Sequence, residues 1–256
     1  MSVYSMLLGR LHFQHPSRFN DPFEGRPQHR VAFEDPAKQR AAMLEYLIDL
    51  SATQGVDPNE RTKWSERALA SKSSEELIEA LNNRELEEDS GSRILCLAHP
   101  DTVLKPLLWS HYGDSHRGLC IHFSTAFAPL NLAWQVVYDE EYPTILVPRT
   151  AGSNWDIVLR THLTKCSLWS YEQEYRVVRI RLAGSGLASH LNVQWDEDVA
   201  VCNERIAEEV TLGARMARAN RDNFLAWVRE NAPHLRIWQA SLHRHRFAIE
   251  RREQIR

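Results

Sequence analysis

The stretch that decides the fold is residues 165–182, KCSLWSYEQEYRVVRIRL. From Tyr175 to Leu182 the residues alternate in polarity, which predicts a β-strand with one face in a core. Helical patterns dominate the first third of the chain, notably 36–50, whereas short strand patterns dominate from residue 93 onward. This separation of helices from strands predicts an α+β fold.

The length of the chain bears on its domain organisation. With 256 residues it can bury one large core, so we expect a single domain over 1–256, with a helical insertion at about 36–86. Ser73 and Glu76 have the spacing of a capping box at a helix start. The patterns also predict a strand over Gln135–Tyr138 and a helix over Trp155–Leu168.

Composition excludes several classes of protein. The net charge of −3 argues against wholesale nucleic-acid binding. No apolar run approaches the ~20 residues of a membrane helix, and residues 1–10 are too short and too polar for a signal peptide. The four cysteines are far apart and form no CxxC pair, which favours reduced thiols. We therefore expect a cytoplasmic protein without membrane partners.

The first segment with chemical potential is residues 18–25, RFNDPFEG. Asn20 and Asp21 precede a proline, and these residue types favour a fixed turn. Such a loop can line a pocket and present Asn20 or Asp21 to a ligand. The same residue types also suit a rigid structural loop, and the sequence leaves both interpretations open.

The second segment is residues 109–123, WSHYGDSHRGLCIHF, which is dense in polar side chains beside a predicted strand. Histidine and tyrosine can stack on a heteroaromatic ring and hydrogen-bond to a ribose. A satisfied polar network around a turn is the structural alternative. A metal site is a third interpretation, with His111, Asp114, His116 and a carboxylate as ligands and with His99 and His122 also available, although no known ligand spacing is present.

The third segment is residues 165–176, KCSLWSYEQEYR, which contains two glutamates, Glu172 and Glu174, followed by Arg176. If the strand starts at Glu172, the three side chains share one face, because strand side chains repeat every two residues. Two carboxylates so close raise at least one pKa unless a cation offsets them. A structural Glu–Arg pair is the competing interpretation.

Together these segments resemble a known bacterial family. FNDPFEG, LWSHYGDSHRGLCIHF followed by VVYDEEYP, KCSLWSYEQEYRVV and the later EEVTLGARM resemble the family catalogued as domain of unknown function 2971. The resemblance runs from about Leu8 to Phe247. The layout of that family is similar to the ADP-ribosyltransferase fold, which implies a mixed-sheet core. We expect its first strand to be reduced or missing, because Met1–Tyr4 stands almost inside the first helix.

The resemblance implies an NAD-consuming protein of the toxin or antiviral-defence type, with NAD as co-substrate and no metal. ADP-ribose would pass to a protein, to a nucleic acid or to water, and a partner protein is a further expectation. Glu174 is expected to be the catalytic carboxylate, with Glu172 supporting it or orienting the acceptor. The expected nucleotide-binding residues are His111, Tyr112, Arg117, Asn20, Asp21, Tyr171 and Arg176. The alternatives are a metal-dependent nuclease or hydrolase and a non-catalytic nucleotide- or protein-binding module.

Overall fold

A computed structural model describes residues 2–53, 55–83, 91–147, 154–180 and 191–253. The helices are α1 Val3–Leu7, α2 Pro36–Thr53, α3 Arg61–Ser71, α4 Ser74–Asn82, α5 Pro106–His111, α6 Asn154–Leu163 and α7 Arg218–Asn231. The strands are β1 Arg10–His12, β2 Gln28–Val31, β3 Ser92–Ala98, β4 Leu119–Phe123, β5 Trp134–Gln135, β6 Val137–Asp139, β7 Thr144–Val147, β8 Thr164–Cys166, β9 Glu174–Ile180, β10 Gln194–Asp196, β11 Val199–Val201, β12 Ala207–Leu212, β13 Arg236–Leu242 and β14 Ile249–Glu253.

The chain divides into two compact units. The first unit contains residues 1–18, 91–136 and 168–256, and the second contains residues 19–90 and 137–167. The expectation of a single domain stays a prediction. Among the described helices, none is both long enough and apolar enough to cross a membrane.

The largest sheet of the first unit has the order β14-β13-β12-β4, in which only β12 and β13 are parallel. Val210 and Leu212 on β12 and Ile237 on β13 pack with Phe224 and Val228 of α7. Phe224 and Val228 are four residues apart, so they lie on the same face of α7. Because each such side chain contributes about 1.5–3 kcal/mol when it is fully buried, this layer anchors the sheet.

Two further antiparallel sheets complete the first unit, in the orders β3-β9-β5 and β1-β11-β10. Leu11, Leu95, Val177 and Ala200 come from these two sheets and pack in one buried cluster with Phe13, which directly follows β1. Strand β9 is central, so its residues 176–180 are all buried. The candidate site described below lies at the first residue of this strand.

The second unit is built from helices α2, α3, α4 and α6 and two small parallel ladders, β2 with β7 and β6 with β8. Met43 and Leu47 on α2 pack with Leu69 and Val147. Helix α4 begins with the predicted capping box: Ser73 Oγ accepts from Glu76 N at 3.2 Å, and Glu76 Oε2 accepts from Ser73 N at 2.7 Å.

The α+β prediction is therefore confirmed at the level of fold class, and helices α2, α3 and α4 lie within the predicted insertion. Residues 54 and 84–86 of that insertion lie outside the described residues, as do residues 181 and 182 of the predicted strand. The similarity to the ADP-ribosyltransferase fold stays a prediction.

Two predicted elements are wrong in their bounds. The strand predicted over Gln135–Tyr138 is two strands, because Gln135 pairs with β9 in the first unit whereas Tyr138 pairs with β8 in the second. The helix predicted over Trp155–Leu168 ends at Leu163, because the next three residues pair with β6. Sequence periodicity cannot detect such changes of partner.

Candidate active site

The candidate site lies at a sharp corner in the chain at Gln173. Residues Ser167–Glu172 form a 3-10 helix, Gln173 has a φ of 49°, and β9 begins at Glu174. The strand therefore does not start at Glu172, the condition under which Glu172 would share a face with Glu174, and the period-2 argument does not apply to Glu172. A left-handed glutamine is uncommon, and its backbone is held because Gln173 O accepts from His99 N at 3.0 Å.

Glu174 and Arg176 form a buried, two-pronged ion pair. Arg176 Nε lies 2.7 Å from Glu174 Oε1, and Arg176 Nη2 lies 3.0 Å from Glu174 Oε2. The relative exposure of these residues is 4% for Glu174 and 1% for Arg176. The expectation that they share a face of the strand is confirmed. Such paired contacts are the strongest hydrogen bonds that a carboxylate accepts from arginine.

Glu172 is also buried, and a tyrosine connects it to the surface. Tyr112 Oη donates to Glu172 Oε1 at 2.7 Å. Glu172 is 3% exposed, whereas Tyr112 is 55% exposed. Tyr112 directly follows α5, so the predicted second and third segments meet at this hydrogen bond.

Aromatic rings surround this contact. The ring centroids of His111 and Trp169 are 6.0 Å apart, and those of Trp169 and Tyr171 are 6.1 Å apart. Lys105 Nζ donates to Tyr171 O at 2.8 Å, which ties the 3-10 helix to the start of α5. His111 and Tyr112 are exposed, so this surface offers ring faces to a planar ligand. Trp169 and Lys105 also belong to this group, although the sequence motifs did not predict them as site residues.

The loop after Tyr112 has an unusual backbone. Asp114, Ser115 and His116 have φ values of 47°, 53° and 69°. Arg117, the predicted phosphate contact, forms an exposed ion pair with Asp114 in which Nη2 and Oδ1 are 2.9 Å apart. The hydrogen bond from Arg117 holds the pKa of Asp114 below its usual value. An anion that binds Arg117 would therefore compete with the Asp114 carboxylate for the guanidinium group.

Three side chains of the metal interpretation have separate surroundings. His111 contacts Trp169, Asp114 contacts Arg117, and His116 Nε2 lies 3.3 Å from Ser110 Oγ. Within the described ranges, no group of three or more His, Cys, Asp or Glu side chains is arranged so that it could hold a metal ion.

Residues 19–25 of the first predicted segment belong to the second unit. Asp21 is buried, Asn20 is exposed, and Asp21 Oδ1 accepts from Phe23 N at 2.9 Å, as the expected turn requires. Glu24 Oε1 lies 3.2 Å from Lys165 Nζ, and both side chains are 3% exposed. Lys165 comes from the third predicted segment, so this ion pair joins parts of the chain that lie far apart in the sequence.

Comparison with family models, curated proteins and solved structures finds no match for this chain. The resemblance to the family of domain of unknown function 2971 therefore stays a prediction that rests on the motifs quoted above.

Proposed function

We propose that this chain consumes NAD by cleaving the bond between nicotinamide and ribose. The observation that supports this most is the pair of buried carboxylates on either side of Gln173, with exposed rings beside them. ADP-ribose would then pass to a protein, a nucleic acid or water. The resemblance of Glu172-Gln173-Glu174 to the Glu-x-Glu element of ADP-ribosyltransferases points to the same reaction.

The chemistry needs a negative charge close to the ribose. When the bond between the nicotinamide nitrogen and ribose C1′ breaks, nicotinamide leaves as a neutral base and the ribose becomes oxocarbenium-like. A fixed carboxylate stabilises that positive charge, and an attacking nucleophile then forms the new bond at C1′. The rings of His111 and Tyr112 supply faces on which the nicotinamide or adenine base can stack.

The contacts favour exchanging the roles that the sequence predicts for the two glutamates. Arg176 contacts both oxygens of Glu174, which offsets the charge that an oxocarbenium ion requires. Glu172 accepts a hydrogen bond from Tyr112, an exposed residue whose ring lies beside the exposed ring of His111. The proposal therefore assigns stabilisation of the ribose to Glu172, while Glu174 and Arg176 hold the corner as positioning residues.

The Tyr112 hydroxyl offers a mild test of this assignment. Tyr112→Phe removes the hydrogen bond to Glu172, and we expect nicotinamide release to fall by about tenfold, the effect of losing a hydrogen bond to a charged group. Tyr4→Phe is a matched control, because Tyr4 is a similarly exposed tyrosine with its ring packed on Trp227. Equal rates for the wild type and Tyr112→Phe would contradict the role given to Glu172.

A non-catalytic binding module is the second candidate, and the Glu174–Arg176 pair is the observation that favours it. A buried pair of this kind is compatible with a purely structural network. The two candidates differ in one measurable result: a nucleotide-binding module binds NAD but does not release nicotinamide from it. Calorimetric binding of NAD together with an assay for free nicotinamide distinguishes them.

A further inference from the structure

The hairpin formed by β13 and β14 ends in a basic loop that the proposed function does not use. Residues 243–247 have the sequence HRHRF and lie between the two strands. Backbone hydrogen bonds close the loop, because His243 N donates to Ala248 O at 2.9 Å and Ala248 N donates to Arg246 O at 2.8 Å. The hairpin belongs to the first unit. The loop therefore presents its side chains from a defined backbone.

The positive charge of this hairpin is only partly neutralised. Residues 236–252 contain five arginines and one carboxylate, whereas the net charge of the whole chain is −3. Two of these arginines form ion pairs with Glu209, namely Arg236 and Arg251. Within the part of the chain that the structure describes, Arg244 and Arg246 form no ion pair, and both are exposed. The loop thus carries charge that is complementary to an anion.

A surface depression of about 650 Å³ continues from the loop along one face of the hairpin. Gln239 lies opposite Arg252, and Ser241 lies opposite Glu250, so these four side chains share the face. The rest of the lining comes from the end of β13 and the loop, namely Leu242, His243, Arg244 and His245.

Arg252 extends the basic surface away from the loop. It lies three residues after the first residue of β14, which is about 10 Å at the rise of a strand. Glu250 Oε2 lies 4.0 Å from Arg252 Nη2, and the side chain of Arg252 is 84% exposed, so its guanidinium remains accessible. A surface of this length fits a chain of phosphates better than a single phosphate ion.

An uncovered aromatic ring completes the surface. Phe247 has a relative exposure of 108%, so both faces of its ring are open to solvent. Such a ring is a stacking platform for an unpaired base, whereas the bases of a duplex are already stacked on one another. Lipid surfaces also attract basic loops with apolar residues. A bilayer is too broad to enter the depression, however, whereas a single strand can.

We propose that the β13–β14 hairpin binds single-stranded nucleic acid. Arg244, Arg246 and Arg252 contact the phosphates, Phe247 stacks on a base, and the depression accommodates the strand. The recognised chemistry is a phosphodiester chain with unpaired bases, which DNA and RNA share. This proposal does not depend on NAD cleavage.

Fluorescence anisotropy of the full chain with short labelled oligo(dT) and oligo(U) tests this binding and separates DNA from RNA. We expect at least one of the two strands to bind. Three phosphate contacts imply a slope of about −2 in log K against log salt, so affinity should fall about twentyfold between about 50 and 200 mM salt.

The double variant Arg244→Gln with Arg246→Gln tests the phosphate contacts. Loss of two contacts should make the salt slope shallower by about 1.4 and weaken binding at low salt. Arg67→Gln with Arg229→Gln is the matched control, because both arginines are exposed on helices, α3 and α7, and neither lines the depression. The control should bind as the wild type does.

Phe247→Ala tests the stacking and should fold, because the ring is fully exposed. It should bind oligo(dT) or oligo(U) about fivefold or more weakly, yet bind an abasic strand of the same length as the wild type does, since that strand has phosphates but no bases. Phe23→Ala is the control, because Phe23 is an exposed phenylalanine of the second unit.

Three results would overturn the proposal. The first is that neither oligonucleotide binds at the lower salt concentration. The second is that the arginine variant or Phe247→Ala binds oligonucleotide as tightly as the wild type. The third is binding to vesicles of phosphatidylserine and phosphatidylcholine without binding to either oligonucleotide, which would assign the hairpin to a membrane surface.

Discussion

At the scale of single residues, the pair of Glu174 and Arg176 makes the strongest prediction about stability. Glu174→Gln leaves a buried guanidinium without its carboxylate, so the free energy of unfolding should fall by about 3–5 kcal/mol. Urea unfolding of the wild type and the variant measures this difference.

Asp222→Asn is the control for that experiment. Asp222 forms exposed ion pairs with Arg218 and Arg221, so the change should cost at most about 1 kcal/mol. An equally small cost for Glu174→Gln would contradict the buried pair. The unfolding curve of Glu174→Gln also gives the fraction of folded protein, so activity lost through unfolding can be separated from activity lost in the folded state.

Two histidines predict how stability depends on pH. Burial lowers the pKa of His29, and the pKa of His122 is lowered by burial and by Arg251. Glu208 and Glu209 oppose this shift at His122, whereas Arg236 adds to it. Because the unfolded chain binds protons at these histidines first as the pH falls through about 6.5, the folded state is progressively destabilised there.

We therefore expect the free energy of unfolding to decrease between pH 7.5 and 5.5, by at most about 1.4 kcal/mol per pH unit for each histidine. His122→Gln should flatten this dependence, since it removes the group whose Nε2 is buried without a partner. Urea unfolding at several pH values measures it. Stability that rises as the pH falls through this range would contradict the assignment.

The residues of the candidate site and one of its contacts could be predicted from the sequence, but its other contacts could not. The sequence shows that Glu172, Glu174 and Arg176 are close, and the Glu174–Arg176 pair follows from strand alternation. The left-handed φ of Gln173 has no sequence signal, since glutamine is not a residue that favours it. The contact of Tyr112 with Glu172 depends on tertiary packing across 60 residues.

At the scale of elements, the loop after α5 depends on close approach of β12. A Cβ at Gly213 would lie 2.2 Å from His116 O and 2.8 Å from Gly118 O. Both oxygens are backbone atoms, so they cannot rotate away. Gly213→Ala should therefore displace the loop that follows Tyr112 and lower the free energy of unfolding by about 1–3 kcal/mol.

Gly55→Ala is an informative comparison for this prediction. Gly55 has a φ of 71°, but a Cβ there would meet no neighbouring atom within 4 Å, so only backbone strain of about 1–2 kcal/mol opposes the change. Thermal unfolding measures the loss of stability in both variants. An assay of nicotinamide release shows which of the two changes also affects the candidate site. Gly213→Ala should reduce activity and Gly55→Ala should not; unchanged activity in both would contradict the tight packing of the loop.

The bounds of the elements show where sequence patterns stop being informative. The capping box at Ser73 could be predicted because its donors and acceptors lie within four residues. The change of partner between Gln135 and Tyr138 could not, because it depends on β9 and β8. Local chemistry is thus readable from the sequence, whereas the choice of strand partner is not.

At the scale of the whole molecule, the four cysteines predict a pattern of thiol reactivity. Burial raises the pKa of Cys120 and of Cys202 to about 11, so both are almost entirely protonated at pH 8. Cys96 is exposed. In the native state a thiol reagent should react fastest with Cys96 and slowest with Cys120 and Cys202, whereas all four should react in denaturant.

Mass spectrometry of partly labelled protein identifies the order of reaction. Cys96→Ser should remove the fast phase and leave the slow ones unchanged. Fast labelling of Cys120 in the folded chain would contradict the partial burial of this thiol on β4.

The measurement that tests the central proposal most directly is nicotinamide release from NAD by the wild type, Glu172→Gln and Asp222→Asn, each with and without chelator. We predict that the wild type and Asp222→Asn release nicotinamide with or without chelator. Folded Glu172→Gln should release it about a hundredfold or more slowly, the scale of removing one electrostatic group from a transition state. Equal release by wild type and Glu172→Gln, or binding of NAD without any release, would contradict it.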